Sequence, residues 1–279
     1  MIFDLRTFDT AYQFLLDFLG MSGGDFVIDY VVNCHEDNDL FWEKHFDFLN
    51  TVDIRDLQFM AFHVTGSLDD CNEIKSTGLT NLQKVLAGDT MLSRVLRQYG
   101  LTFDISARKM VYKGTVFDID YDKYRGRSDL SKQEKRIEAI AGRVYYDHCI
   151  DGFFYCDDIS AYGTNIHERP EFIMPLVKLF PELTKMESNW IQQSKSYVVN
   201  FCVTFEQFHR FTFSLDEDQY SPHDVYQKLT DEQKLKKWML VAAIDRGFRN
   251  YSGESYAYIK DEIPIQPEQI ISCQQVLID

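Results

Sequence analysis

The spacing of the apolar residues changes near Leu57, and that change bounds what the chain can fold into. Before it, apolar side chains recur at helical intervals: Phe8, Tyr12, Leu15, Leu16 and Leu19, with Gly20 behind them as a stop. Gly23-Gly24 breaks the chain. A second helix is expected from Phe26 to Asn33, and a third carries Phe41, Trp42, His45, Phe46 and Leu49. After it, Leu57 to Val64 is a short apolar run that suits a buried strand, closed by Thr65-Gly66-Ser67. Residues 1–55 therefore read as a helical N-terminal lobe, and residues 56–279 as the main domain.

Within that domain the strand and helix signals do not alternate. Ser67 or Asp69 caps a helix through Ile74, ended by Gly78, and another helix runs from Asn81 to Tyr99, stopped by Gly100. Val111 to Tyr121 reads as a strand, and residues 128–143 as a helix capped by Ser128 or Ser131. Val144 to Tyr155 has strand-like aromatic content with a turn at Asp151-Gly152. Pro170, Pro175 and Pro181 punctuate an irregular stretch. Lys195 to Phe205 reads as a strand, residues 222–245 as a helix, and Asn250 to Gly253 as a loop. Ser255 to Ile265 and Ile270 to Ile278 read as the last strands. No Rossmann glycine fingerprint is present. Such an order predicts an α+β fold with antiparallel sheets.

The formal charge is −15, from 44 acidic against 29 basic residues, so phosphate is repelled and any nucleic-acid contact needs a local basic patch. Two stretches qualify: Lys123, Arg125, Arg127, Lys132, Lys135, Arg136 and Arg143, and then Lys234, Lys236, Lys237, Arg246 and Arg249. The plainer account of each is a solvated helix face. The six cysteines include no CxxC pair, and His148, Cys149, Cys156 and His167 lack the close spacing of zinc ligands, so no metal is expected. Scattered thiols suit a reducing, cytoplasmic setting. Residues 1–20 lack the apolar core of a signal peptide, and no run is long enough to cross a membrane.

Three segments carry chemistry. In Phe62-His63-Val64-Thr65-Gly66-Ser67, a histidine near the end of a buried strand offers its ring and adjacent backbone groups to a ligand's hydroxyls and amide. In Gly152-Phe153-Phe154-Tyr155-Cys156-Asp157-Asp158-Ile159-Ser160-Ala161-Tyr162, an aromatic strand ends in polar residues, with a tyrosine seven positions after Tyr155. Its rings suit a flat group. In Ser252-Gly253-Glu254-Ser255-Tyr256, a carboxylate follows a glycine at the mouth of an aromatic strand, where it can bond a ribose hydroxyl and stabilise a developing cation. Singly, each has a plainer explanation: a core histidine, a core strand, a solvated glutamate.

Taken in order, the three resemble the ADP-ribosyltransferase superfamily, in the His–Tyr–Glu branch that includes the poly(ADP-ribose) polymerases and the DarT toxins. FHVTGSLDDCNEIKSTGL is similar to that branch's opening, GFFYCDDISAY to its second motif, and GESYAYIKDEIPIQPEQI to its third. The resemblance spans residues 57–279 in order and is carried by the motifs alone. It implies an ADP-ribosyltransferase-like split antiparallel β-sandwich with flanking helices, and NAD as co-substrate without a metal. By the same resemblance His63 would hold the adenosine ribose and the backbone at Val64, Thr65 and Gly66 the nicotinamide amide. Tyr155 or Phe154, together with Tyr162, would sandwich the nicotinamide ring, and Ser160 would bond the amide. Which of Phe154 and Tyr155 is the triad ring stays open, since one residue of shift decides it. Glu254 would bind the 2′-hydroxyl of the nicotinamide ribose.

The chain also resembles, less specifically, the toxin transferases of toxin–antitoxin and phage-defence systems, including the CmdT type. That likeness implies a nucleic-acid acceptor, RNA (messenger RNA in the CmdT type) or DNA, with an antitoxin and a chaperone as partners. Two other readings use the same fold: a protein-directed transferase, and a catalytically inactive binding module. An RNA 2′-phosphotransferase fits less well, because that chemistry relies on basic residues where this chain has Glu254.

Overall fold

The structure, a computed structural model, describes residues 1–216 and 229–277. In chain order the first elements are β1 (Ile2–Phe3), α1 (Phe8–Leu19), α2 (Gly23–Val27), α3 (Asn38–Thr51) and β2 (Gln58–Ser67). The short helices α4 (Asn72–Thr77), α5 (Leu82–Ala87) and α6 (Met91–Gln98) come next, and then β3 (Leu101–Asp104), β4 (Lys109–Tyr112) and β5 (Thr115–Asp118). They are followed by α7 (Lys132–Tyr145), β6 (Ile150–Cys156), α8 (Ile173–Leu179), α9 (Thr184–Gln193) and β7 (Lys195–Thr204). The chain closes with α10 (Asp231–Ala243), β8 (Glu254–Ile259) and β9 (Ile270–Gln275).

Helices and strands are mixed, and the sheets are antiparallel in the main, so the fold is α+β. The larger sheet has the order β8-β6-β2-β7-β9, with β1 added in parallel beside β2. Phe62 on β2 stands opposite Phe153 on β6, and Val199 on β7 opposite Cys273 on β9. β3, β4 and β5 form a separate meander. Its β4–β5 turn is Lys113-Gly114, at φ of 47° and 82°, the left-handed pair that a two-residue hairpin favours.

The chain divides into two compact units. The first comprises Met1–Phe62, Gly152–Asp157 and Cys202–Tyr258; residues 1–55 lie in it with strand segments from later in the chain. Its centre is aromatic: Phe3, Phe59, Phe154, Phe208 and Phe213 are buried, and Trp238 packs on Phe213 with centroids 4.9 Å apart. Rings of this size bury the most apolar area per residue, and edge-on contacts such as Phe3 on Phe14 add to it. The second unit comprises His63–Asp151, Asp158–Phe201 and Ile259–Asp279. Its core is built on α7, whose Ile137, Ile140, Ala141 and Val144 recur at helical spacing and pack with Leu96, Met110, Leu176 and Trp190.

Several local expectations are corrected. Ser22 caps a helix at Gly23, so α2 starts before Phe26 and runs on as a wider π-type turn, Ile28–Asn33. The helix expected over 81–99 is two, broken at Gly88, with Thr90 capping the second. Val111–Tyr121 is not one strand, because the Lys113-Gly114 turn folds it back, and β3 precedes it. Asp151-Gly152 lies inside β6 and makes no turn. The proline-marked stretch holds α8 and α9; Pro175 sits in the first turn of α8, where its missing N–H has no helical partner to lose. Residues 222–228 of the helix expected over 222–245, and Ile278 of the last strand, lie outside the described residues.

Candidate functional site

In the first unit the local structure converges on Glu254. It is exposed and opens β8, directly after Gly253, whose φ of 131° is one that side chains rarely adopt. The Gly253 N–H donates to Asp157 Oδ2 (3.0 Å), and the Asp157 N–H donates to the Gly253 carbonyl (3.0 Å). This two-way clasp ties the end of β6 to the start of β8. The Tyr256 hydroxyl donates to Glu254 Oε1 and fixes the carboxylate's orientation.

Asp157 is held in turn by Arg246. The guanidinium forks onto both carboxylate oxygens, at 3.0 and 2.6 Å, and donates to the carbonyls of Tyr251 (2.9 Å) and Leu5 (3.2 Å). It lies between the rings of Phe8 and Tyr155, 4.2 and 4.3 Å from their centroids, and is only 3% exposed. A planar, weakly hydrated cation is the side chain suited to such a place. The Arg246 hydrogen bonds hold the Asp157 carboxyl below its ordinary range, so it stays charged. A π-type turn, Ile244–Phe248, carries Arg246.

Phe154 and Tyr155 lie on opposite sides of the strand, and both are buried. Phe154 is wholly buried against Phe3, Phe208 and Trp238. Tyr155 points the other way, onto Arg246, and burial raises its phenol pKa.

In the second unit, His63 Nδ1 lies 2.7 Å from the Asp151 carbonyl. A carbonyl only accepts, so Nδ1 carries the proton. Burial lowers the imidazole's pKa, so the ring is neutral at pH 7 and Nε2 is left as an acceptor. Val64 is buried and Thr65 half-buried. At Gly66 an added Cβ would meet the Glu168 carbonyl oxygen and stand 2.9 Å from Arg169 N, while the Gly66 carbonyl accepts from Trp190 Nε1 at 3.2 Å. Gly66 is thus demanded by packing, whatever else it does. Ser160 is exposed and its hydroxyl donates to Asp158 Oδ1 (2.6 Å) inside a turn that the Ser160 and Ala161 N–H groups complete. Tyr162 is half-buried in the same loop and accepts at its carbonyl from Asn165 N.

The structure therefore gathers Glu254, Tyr155 and the unforeseen Asp157 and Arg246 in the first unit. It joins His63 to Asp151, and Ser160 to Asp158, in the second. Asp157 lay within a segment singled out by sequence, but its partner is 89 residues away and no local pattern announces the pair.

The two basic stretches fare differently. The second is not a surface patch: Lys234, Lys236 and Arg246 are buried, Lys236 pairs with Glu232, Lys237 with Asp39, and Arg249 with Asp245. In the first, Lys123 pairs with Asp118, Arg127 with Asp129, and Arg143 with Asp147 and Glu171. Arg125, Lys132, Lys135 and Arg136 form no ion pair among the described residues. Asp147, Cys149 and Asp151 bring ligand atoms within 4.8 Å of one another, but Arg143 holds Asp147, and the Cys149 thiol, its pKa raised by burial, donates to Asp151 at 2.9 Å. No helix among the described residues is long and apolar enough to cross a membrane.

No family model, curated protein or solved structure matches the chain.

Proposed function

We propose that the chain transfers ADP-ribose from NAD to a nucleic acid, on an ADP-ribosyltransferase-like split β-sandwich, with Glu254 as the carboxylate at the reacting ribose. The observation that carries the reading is the setting of Glu254. It is open to solvent, yet the backbone of Gly253 just before it is clasped to Asp157 and its own carboxylate is oriented by Tyr256. An exposed glutamate with no task has no need of such anchoring. The order of the three motifs and the neutral, acceptor-bearing imidazole of His63 add to it, because a ribose hydroxyl needs an acceptor.

The chemistry follows from charge. The bond between C1′ of the ribose and the nicotinamide nitrogen breaks, and its electron pair neutralises the pyridinium. The ribose gains oxocarbenium character, which a fixed carboxylate stabilises, while the same group holds the 2′-hydroxyl. An acceptor oxygen or nitrogen then attacks C1′ and releases its proton to solvent. Positioning of the acceptor supplies the rest of the acceleration.

The test is release of nicotinamide by the purified chain. Glu254→Ala should lower it by about 10²–10³-fold, the usual loss for one electrostatic stabiliser. The melting temperature should hold, since Glu254 is exposed. Wild-type turnover in Glu254→Ala would sink the mechanism.

A further inference from the structure

The exposed side of α7 is organised in a way that its own stability does not ask for. Lys132, Lys135, Arg136, Ala139, Gly142, Arg143 and then Tyr146 recur at intervals of three and four, so they share one face. The opposite face, with Ile137, Ile140, Ala141 and Val144, is buried. The first half of the exposed stripe is cationic, the middle is small, and the far end is aromatic.

Three observations set this stripe apart from an ordinary solvated helix. First, Lys132, Lys135 and Arg136 crowd the N-terminal part of the helix, where the backbone dipole is positive and favours acids. Glu134, the acid there, turns back to cap Ser131 N (2.8 Å). Second, in the first half of the helix Lys132 faces Arg136 and Glu134 faces Glu138 at i,i+4, both like pairs that cost stability, while the opposite pair Arg143 and Asp147 lies at the far end. Third, Tyr146 is 65% exposed although it is a large ring. The Arg125 guanidinium lies 5.5 Å over it, and the Tyr121 ring is 5.7 Å away and 33° from parallel. Tyr121 itself rests against Gly142, where an added Cβ would stand 3.4 Å from its ring. Cations and a flat guanidinium–tyrosine stack, unpaired and facing water in a chain of net charge −15, complement a polyanion that carries flat rings.

We propose that this face of α7 binds single-stranded nucleic acid, with phosphates on Lys132, Lys135 and Arg136 and a base stacked at Tyr146 and Arg125. The stripe is about 21 Å long at helical rise, room for about six nucleotides at their duplex spacing and fewer if the strand is extended. A duplex hides its base faces and would leave Tyr146 unused, so the single strand is the better fit. The surface would deliver the acceptor of the transfer proposed above, and rests on that reading for its purpose only; binding needs no NAD.

Fluorescence anisotropy of labelled oligouridylate and oligothymidylate of about twelve residues, the scale of single-strand sites, tests it on the full chain without NAD. Three phosphate contacts predict that log Kobs falls with log salt at a slope of about −2, near −0.7 per phosphate. Lys132→Gln/Lys135→Gln/Arg136→Gln should bring that slope to near zero while melting no lower than wild type, because cations leave the helix start. Tyr146→Ala should weaken binding by about 5- to 150-fold, the range of one base–aromatic stack, and leave the slope unchanged. Absence of binding by the wild type, or a slope unmoved by the triple variant, overturns the proposal. So does equally tight binding of polyglutamate, which would make the face a site for acidic protein. RNA and DNA arms show which strand is preferred. Failure of the transfer reading would abolish nicotinamide release and leave these titrations intact; failure of the surface would do the reverse.

Discussion

Arg246 offers the sharpest test of how the first unit holds its carboxylate. Arg246→Met keeps the aliphatic stem between Phe8 and Tyr155 and removes the guanidinium. Asp157 then loses two charge-assisted bonds, and the carbonyls of Leu5 and Tyr251 lose their donor. Removing one partner of a buried pair costs about 3–5 kcal/mol. Asp157 is a third exposed, at 34% of its side chain, so solvent recovers part of this and about 3 kcal/mol is expected. Arg246→Lys should recover little, because an ammonium cannot fork onto the carboxylate. Asp157→Asn should cost less, and the double variant should cost less than the sum, with a coupling of about 1–2 kcal/mol. Urea unfolding followed by circular dichroism measures all four corners of this cycle. The Asp157 pKa lies below its unfolded value, so the pair's contribution is complete above about pH 4 and fades as pH falls through the folded value. Asp157→Asn should remove that fading. A coupling below about 0.5 kcal/mol, within the scatter of independent sites, would refute the claim that the fork organises the loop before Glu254.

Other outcomes follow from single positions. Gly253→Ala places a side chain at a φ of 131°, where there is room but the backbone is strained; about 1–3 kcal/mol of local strain should lower nicotinamide release more than it lowers the melting temperature. Gly66→Ala drives a methyl into the backbone of Glu168 and Arg169, and overpacking of that kind costs about 1–3 kcal/mol; an unchanged thermal midpoint would contradict it. Burial pushes the Asp151 carboxyl up to about 6, so the folded chain keeps a proton that the unfolded chain has released. Stability should therefore fall by up to about 3 kcal/mol as pH rises from about 4 to 6. His63, with its pKa lowered by burial, works oppositely: charging it below about pH 6.5 opposes folding. Asp151→Asn should thus leave stability rising with pH over that window, which denaturation at a series of pH values would show.

Much of the local order was legible because it rests on local physics. The Phe8–Leu19 stripe and its Gly20 stop, a serine cap ahead of α7 (Ser131, of the two serines Ser128 and Ser131 that the sequence left open) and the apolar run of β2 each follow from neighbours in sequence. The α8–α9 pair was not legible, because Pro175 sits in the first turn of α8 and Pro181 opens the short turn ahead of α9, places where proline is tolerated, whereas a count of prolines reads as a break. Asp151-Gly152 looked like a turn until ladder pairing held it straight. At the candidate site, Glu254 and His63 stood out by type and order. The Arg246–Asp157 fork did not, since an arginine among lysines reads as surface until a tertiary fold buries it. The split of the first basic stretch into paired and unpaired cations likewise depends on partners, such as Asp118 and Glu171, supplied by other elements.

In the proposed mechanism Glu254 acts on the transition state of NAD cleavage and does not merely bind the dinucleotide. The measurement that separates these is NAD affinity by calorimetry alongside nicotinamide release, for the wild type and Glu254→Gln. The amide keeps the shape and a hydrogen bond to the ribose but cannot balance a developing positive charge. The expected result is a Kd within about threefold of wild type and turnover lower by about 10²-fold or more. Turnover that stays at the wild-type level, or falls only in step with affinity, would contradict it.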